Sequence, residues 1–356
     1  MTSARLPSPA RVAVFRALQL GDLLCAVPAL RALRAAWPHA RLTLVGLPWA
    51  RDFVRRFRDV DDFIEFPGAP GLPEREPQRA GWPAFISAVQ AHRFDLAIQM
   101  HGSGELTNPL VAAFGASRNA GFFPAGWRNP DPSSFLAWPT QLPEVRRLLA
   151  LAGHLGAPSR GEHLELPVLP AEQRAFVALR AGLPVGERGY VCVHAGARLA
   201  SRRWPPARFA EVADCLAQAG FTVILTGTAS ETALVAQVRG AMREAAIDLT
   251  GRTTLGTLTA LVAQAQLVVC NDTGMSHVAA AVGTPSVVVC CGADPDRWRP
   301  LDGRRHRVVW HAVGCRPCSH DDCPIGHECA LGVDPATVGA QALSLLAARG
   351  GHHVPA

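Results

Sequence analysis

The residues best suited to chemistry in this 356-residue chain lie in four short segments. The densest is Asn271-Asp272-Thr273-Gly274-Met275-Ser276-His277, followed by a run of alanines and then Gly283-Thr284-Pro285. A polar turn opening a small-residue helix presents free N–H donors, a carboxylate and an imidazole within one turn, which suits a phosphorylated or polyhydroxylated ligand. So many polar groups at one place are costly unless they hold something. A structural cap followed by a surface histidine is the plainer alternative.

The other three segments are sparser. In Leu20-Gly21-Asp22-Leu23, Asp22 stands where a helix begins, either as its N-cap or as a carboxylate aimed into a cleft. No G-x-G-x-x-G follows, which argues against a dinucleotide cofactor. The run 195–205 passes from small residues through Gly196 to Arg202 and Arg203. Backbone N–H groups and guanidinium groups there can hold a diphosphate, or the run is a solvated basic loop. In Gly227-Thr228-Ala229-Ser230-Glu231, Ser230 can cap a helix and Glu231 lies in its first turn. Glu231 could equally accept hydrogen bonds from a ribose diol.

A fifth cluster, Cys315-x2-Cys318-x4-Cys323-x5-Cys329 with His320 and His327 interleaved, opens with a metal-like pair. Its later spacing is not that of a standard zinc ribbon. A structural zinc site is one reading; thiols or a labile disulfide stapling a loop is the other. Cys25, Cys192, Cys215, Cys270, Cys290 and Cys291 sit in apolar runs and read as small buried hydrophobes.

The elements that must position these residues alternate. Strand-like runs at 12–15, 42–47, 63–66 and 96–100 are interleaved with helical spacing at 23–37 and 82–92. The pattern breaks at 157–170, with Pro158, Ser159, Gly161, Pro167 and Pro170, and a second series begins. Its strands are expected at 190–194, 221–226, 267–270 and 286–290, and its helices at 206–219, 230–243 and 255–265. Strand, helix, strand order implies parallel sheets, whose ligands bind beyond the carboxyl ends of the strands. The chain therefore reads as two α/β domains, 1–165 and 166–356, with the last helix able to return to the first.

Composition narrows the partners. Hydrophobic residues at 49% against 18% charged exclude a disordered chain. All 35 basic residues are arginine against 29 acidic ones, a net charge of +6, which favours an anionic partner. A single tyrosine and no base-stacking motif argue against nucleic acid. The run 51–58 mixes arginines with Phe53 and Phe57, and either rests on anionic lipid headgroups or forms a solvated helix with an apolar stripe. Residues 1–10 lack the apolar core of a signal peptide, and no apolar stretch reaches the roughly 18 residues of a membrane span. A cytoplasmic, reducing location is expected.

Taken together, Gly21-Asp22, the Pro28 to Arg34 run, Pro38, His194-Ala195-Gly196-Ala197, Arg203-Trp204-Pro205, Thr226-Gly227 with Glu231, and Asp272-Thr273-Gly274-x-x-His277 resemble glycosyltransferase family 9, the ADP-heptose:lipopolysaccharide heptosyltransferases. The resemblance implies a GT-B fold: two Rossmann-like parallel-sheet domains facing each other across a cleft, with the donor held mainly by the second. It implies inverting transfer from an ADP-sugar without metal or other cofactor. Asp22 would be the general base; Asp272, Thr273, Gly274 and His277 would grip the donor sugar and diphosphate, Glu231 the ribose and Arg202 the phosphate. The family usually has lysine where Arg202 stands, and some members carry hydroxyl side chains where this chain has Gly196 and Ala197, leaving backbone contacts only. The implied acceptor is an anionic glycolipid, the lipopolysaccharide core, met at the cytoplasmic face of the inner membrane. A GT-B protein with another donor, an epimerase acting on a sugar nucleotide, and a non-catalytic nucleotide- or glycan-binding module are the competing expectations.

Overall fold

The computed structural model describes residues 8–350; residues 1–7, read above for a leader, and 351–356 lie outside the described residues. The chain divides into two compact units, Met1–His163 and Leu164–Ala356.

The first unit is built on six strands: β1 (Arg11–Phe15), β2 (Arg41–Gly46), β3 (Asp62–Glu65), β4 (Leu96–Gln99), β5 (Arg118–Phe123) and β6 (Phe135–Ala137). They lie in the order β3-β2-β1-β4-β5-β6, every neighbouring pair parallel. The second unit repeats the plan with β7 (Tyr190–His194), β8 (Thr222–Leu225), β9 (Ala246–Asp248), β10 (Leu267–Asn271), β11 (Ser286–Val289) and β12 (His306–Val309), in the order β12-β11-β10-β7-β8-β9. In each sheet the chain starts near the middle, winds outward to one edge, then crosses to wind the other way. The crossing falls between β1 and β4 in the first sheet and between β7 and β10 in the second. Crevices open at such switch points, beyond the carboxyl ends of the strands.

Strands covered on both faces are almost continuously apolar. Val12 through Phe15 and Leu267 through Cys270 are completely buried, as that rule requires. Helix Leu20–Ala36 follows β1 and packs against helix Glu144–His154 of the same unit. The turn after β4 is held by Gln99, whose amide donates to Thr107 Oγ1 at 2.7 Å and accepts from Phe122 N–H at 3.1 Å. Gly121 on β5 makes room for it, since a Cβ there would lie 2.8 Å from Gln99 Cβ. The closing helix Pro335–Gly350 commits Val338, Ala342, Leu345 and Leu346 to the second unit's own core.

Candidate functional site

In the second unit, the turns that end β7 and β10 are joined at Asn271. Its side chain is fully buried; Nδ2 donates to Ala195 O at 2.7 Å, and Oδ1 accepts from Trp204 N–H at 2.9 Å. One amide thus ties the end of β10 to both ends of the basic loop after β7. Trp204, buried edge-on to Phe209, anchors the far end of that loop.

Gly196 and Glu231 form a second junction. A Cβ at Gly196 would lie 2.0 Å from Glu231 Oε1, so the carboxylate occupies the space a side chain would take. Glu231 Oε2 accepts from Thr228 N–H at 2.8 Å and Thr228 Oγ1 at 3.0 Å. The capping role expected of Ser230 therefore falls to the Thr228–Glu231 pair, and capping leaves Oε1 of Glu231 directed at the Gly196 turn. Beneath it, His194 Nδ1 lies 3.2 Å from Thr226 Oγ1. Burial lowers the affinity of His194 for a proton, while the charge of Glu231 opposes that shift.

At the turn that ends β10, Thr273 is the N-cap of helix Gly274–Val282, its Oγ1 accepting from Met275 N–H at 3.2 Å. The cap is thus Thr273 and not Asp272, one residue earlier. Asp272 lies near Cys290, whose thiol is pushed up to about 12 by burial and then by the charge of Asp272. His277 is buried and edge-on to Trp298 at 6.3 Å, which overturns the surface-histidine alternative: the first turn of this short helix faces inward. Arg202 closes a short 3-10 turn, Ala200–Arg202, and its Nη2 donates to Cys318 O at 3.4 Å.

In the first unit, Asp22 is the third residue of helix Leu20–Ala36, not its N-cap. Gln19 holds that position with extended backbone and no side-chain cap. A carboxylate in the first turn still gains from the free N–H groups and the helix dipole. The carbonyl of Asp22 accepts from Arg16 Nε at 2.8 Å.

Residues 82–328 match Glycosyltransferase family 9 (heptosyltransferase). The chain belongs to that family. Lipopolysaccharide heptosyltransferase 2 of Escherichia coli K12 is 26% identical over 90% of this chain and 93% of its own length. Among solved structures, the family 9 glycosyltransferase of Veillonella parvula DSM 2008 superposes with a TM-score of 0.82 at 20% identity, covering 98% of this chain and 100% of that one. The E. coli ADP-heptose lps heptosyltransferase II gives 0.73 at 22% identity, covering 96% and 99%. The fold is GT-B and the activity class is glycosyl transfer.

Of the readings of this glycosyltransferase's cysteine cluster, neither a gathered metal site nor a disulfide is formed among the described residues. Among the described residues no three His, Cys, Asp or Glu side chains are gathered to hold a metal ion. Cys329 turns into the second unit's core, Cys323 Sγ accepts from His327 N–H at 3.1 Å, and Cys315 is exposed. Burial raises the Cys329 thiol, and Cys315, Cys323 and Cys318 lie close enough to raise it further, while no disulfide joins any of the cysteines among the described residues. Sequence reasoning placed Asn271 in the densest segment without giving it a role, and missed Arg16, although each is a polar residue at the end of an apolar strand. The short helix Ala50–Val54 keeps Phe53 in the core and leaves Arg51 and Arg55 exposed, the pattern of an amphipathic surface helix.

Proposed function

We propose that the enzyme moves a heptose, or a closely similar sugar, from an ADP-linked donor to the lipopolysaccharide core or a related envelope glycan. In this reading the anomeric centre inverts and no metal takes part in the chemistry. The observation that carries it is the match, over nearly its full length, to a lipopolysaccharide heptosyltransferase.

The residues support matching roles. Asp22 takes the proton of the acceptor hydroxyl as the sugar acquires oxocarbenium character. Oε1 of Glu231 offers an acceptor for the ribose hydroxyls, and Arg202 offers positive charge to the diphosphate. Asp272, Thr273, Gly274 and His277 stand at the opening of a helix, where free N–H groups suit a diphosphate oxygen. Gly196 contributes backbone alone. Arg51, Arg55 and Arg58 are exposed and suit the anionic headgroups of a glycolipid at the cytoplasmic face of the inner membrane. No helix among the described residues is long and apolar enough to cross a membrane.

The test is to incubate the purified enzyme with ADP-heptose, and separately with UDP- and GDP-sugars, with and without core oligosaccharide. ADP should appear only when ADP-heptose and acceptor are both present, and the product should carry the anomer opposite to that of the donor. Conversion of the sugar nucleotide without acceptor would favour an epimerase. Release of UDP or GDP in place of ADP would reassign the donor.

A further inference from the structure

Directly behind Asp22 lies an ion pair that the proposed chemistry does not use. Arg16 follows β1, and its side chain is 0% exposed; Glu144, at the start of helix Glu144–His154, is 2% exposed. Arg16 Nη2 donates to Glu144 Oε1 at 3.1 Å, Nε donates to Asp22 O at 2.8 Å, and Nη1 donates to Met100 O. One guanidinium thus joins the first turn of the Asp22 helix, the end of β4 and a second helix, across 128 residues of sequence. Arg147 lies behind the pair, its Nη1 3.6 Å from Glu144 Oε2 and its guanidinium 4.9 Å over the Trp138 ring.

Stability alone gives little reason for such a pair. Taking two charges out of water is expensive, and well-packed apolar residues of similar volume are often neutral or stabilising replacements. What an apolar residue cannot do is donate to the carbonyls of Asp22 and Met100. The Asp22 carbonyl belongs to the peptide plane adjoining its own Cα, so fixing that plane fixes the Cα–Cβ bond from which the carboxylate is swung into place. A general base displaced by about 1 Å loses on the order of a hundredfold in rate.

We propose that Arg16, held by Glu144, is a positioning residue that orients the Asp22 carboxylate; this rests on the reading of Asp22 as the general base. It acts through the backbone and touches neither donor nor acceptor. The guanidinium fork is required because three acceptors in different directions are served at once, which a compact ammonium does not match.

The experiment compares wild type with Arg16→Met/Glu144→Leu, Arg16→Lys, Asp22→Asn, and Asp22→Asn combined with Arg16→Lys, measuring thermal unfolding, donor KM and kcat. The paired apolar variant leaves Arg147 buried without its carboxylate and should unfold several degrees below wild type; where it folds, it should keep donor KM within about threefold and lose at least about thirtyfold in kcat. Arg16→Lys should lose at least about tenfold in kcat with donor KM unchanged, and it decides the matter if the paired variant fails to fold. Asp22→Asn should lose at least about a hundredfold, and adding Arg16→Lys to it should cost little more. Wild-type kcat in a folded Arg16→Lys protein overturns the positioning role. Wild-type kcat in Asp22→Asn overturns the base assignment instead, so the two failures are distinct.

Discussion

The carboxylate of Glu231 sits where a side chain at position 196 would be, which makes Gly196 a steric requirement independent of any backbone bond it offers a ligand. Glu231 cannot retreat without breaking its two bonds to Thr228. Gly196→Ala should therefore fold, push Oε1 away from the turn, and raise donor KM by at least about tenfold, the scale of one lost hydrogen bond to a charged group. Gly153→Ala is the control, because a Cβ there, on an exposed helix face, meets nothing within 4 Å. Isothermal titration with ADP reads the effect without the acceptor. A Gly196→Ala protein that binds ADP as wild type does would mean that Glu231 takes no part in holding the nucleotide.

Among the elements, the cysteine-bearing segment 315–329 has a mechanical use that its metal-like spacing concealed. Ser201 N–H donates to Asp321 O at 2.8 Å and Ser201 Oγ to His320 O at 2.6 Å, while His327 Nε2 lies 2.8 Å from Ser201 O. Cys318 N–H donates to Gly292 O at 2.7 Å. The segment is thus a strap across the back of the Arg202 loop. Its contribution should appear in Ser201→Ala/His327→Asn, since asparagine tolerates the left-handed backbone of His327, where φ is 62°. Donor KM should rise about five- to tenfold, against roughly ten- to 150-fold for Arg202→Ala, and the strap changes should add little in the Arg202→Ala background. Additive losses would mean that the strap acts elsewhere. The central strands were legible in the sequence because burial on both faces makes them continuously apolar. The outer strands β5, β6, β9 and β12 were not, since three of them are only three or four residues long and β5 opens on Arg118 and Asn119. Glu231, Asp272 and Asp22 were legible from their places after strands. The tie made by Asn271 and the whole role of Arg16 were not, because what defines them is a buried bond to a partner 76 or 128 residues away.

At the scale of the whole molecule, the two units share a strand order without an evident sequence repeat, and each buries an imidazole in a setting that disfavours its charge. His101, after β4, is stacked on Phe15 and has its pKa lowered to about 3, chiefly by burial and then by the charge of Arg16, with Glu144 opposing. His306, which opens β12 with Nδ1 2.8 Å from Ser286 Oγ, is lowered to about 4, again chiefly by burial. Both imidazoles stay neutral in the folded chain well below pH 6.5, whereas in the unfolded chain they take up a proton near that value. Between those limits the unfolded state binds more protons, so stability is complete above about pH 6.5 and is lost as pH falls toward 4. At pH 5 each imidazole withdraws on the order of 2 kcal/mol, from a shift of about 1.4 kcal/mol per pH unit. Thermal unfolding followed from pH 7 to 4.5 should show a falling midpoint in wild type. The His101→Asn/His306→Asn protein, whatever its stability at pH 7, should show a distinctly shallower fall, with half-buried His194, also lowered, supplying part of what remains. Equal slopes in the two proteins would mean that neither imidazole is kept neutral by the fold.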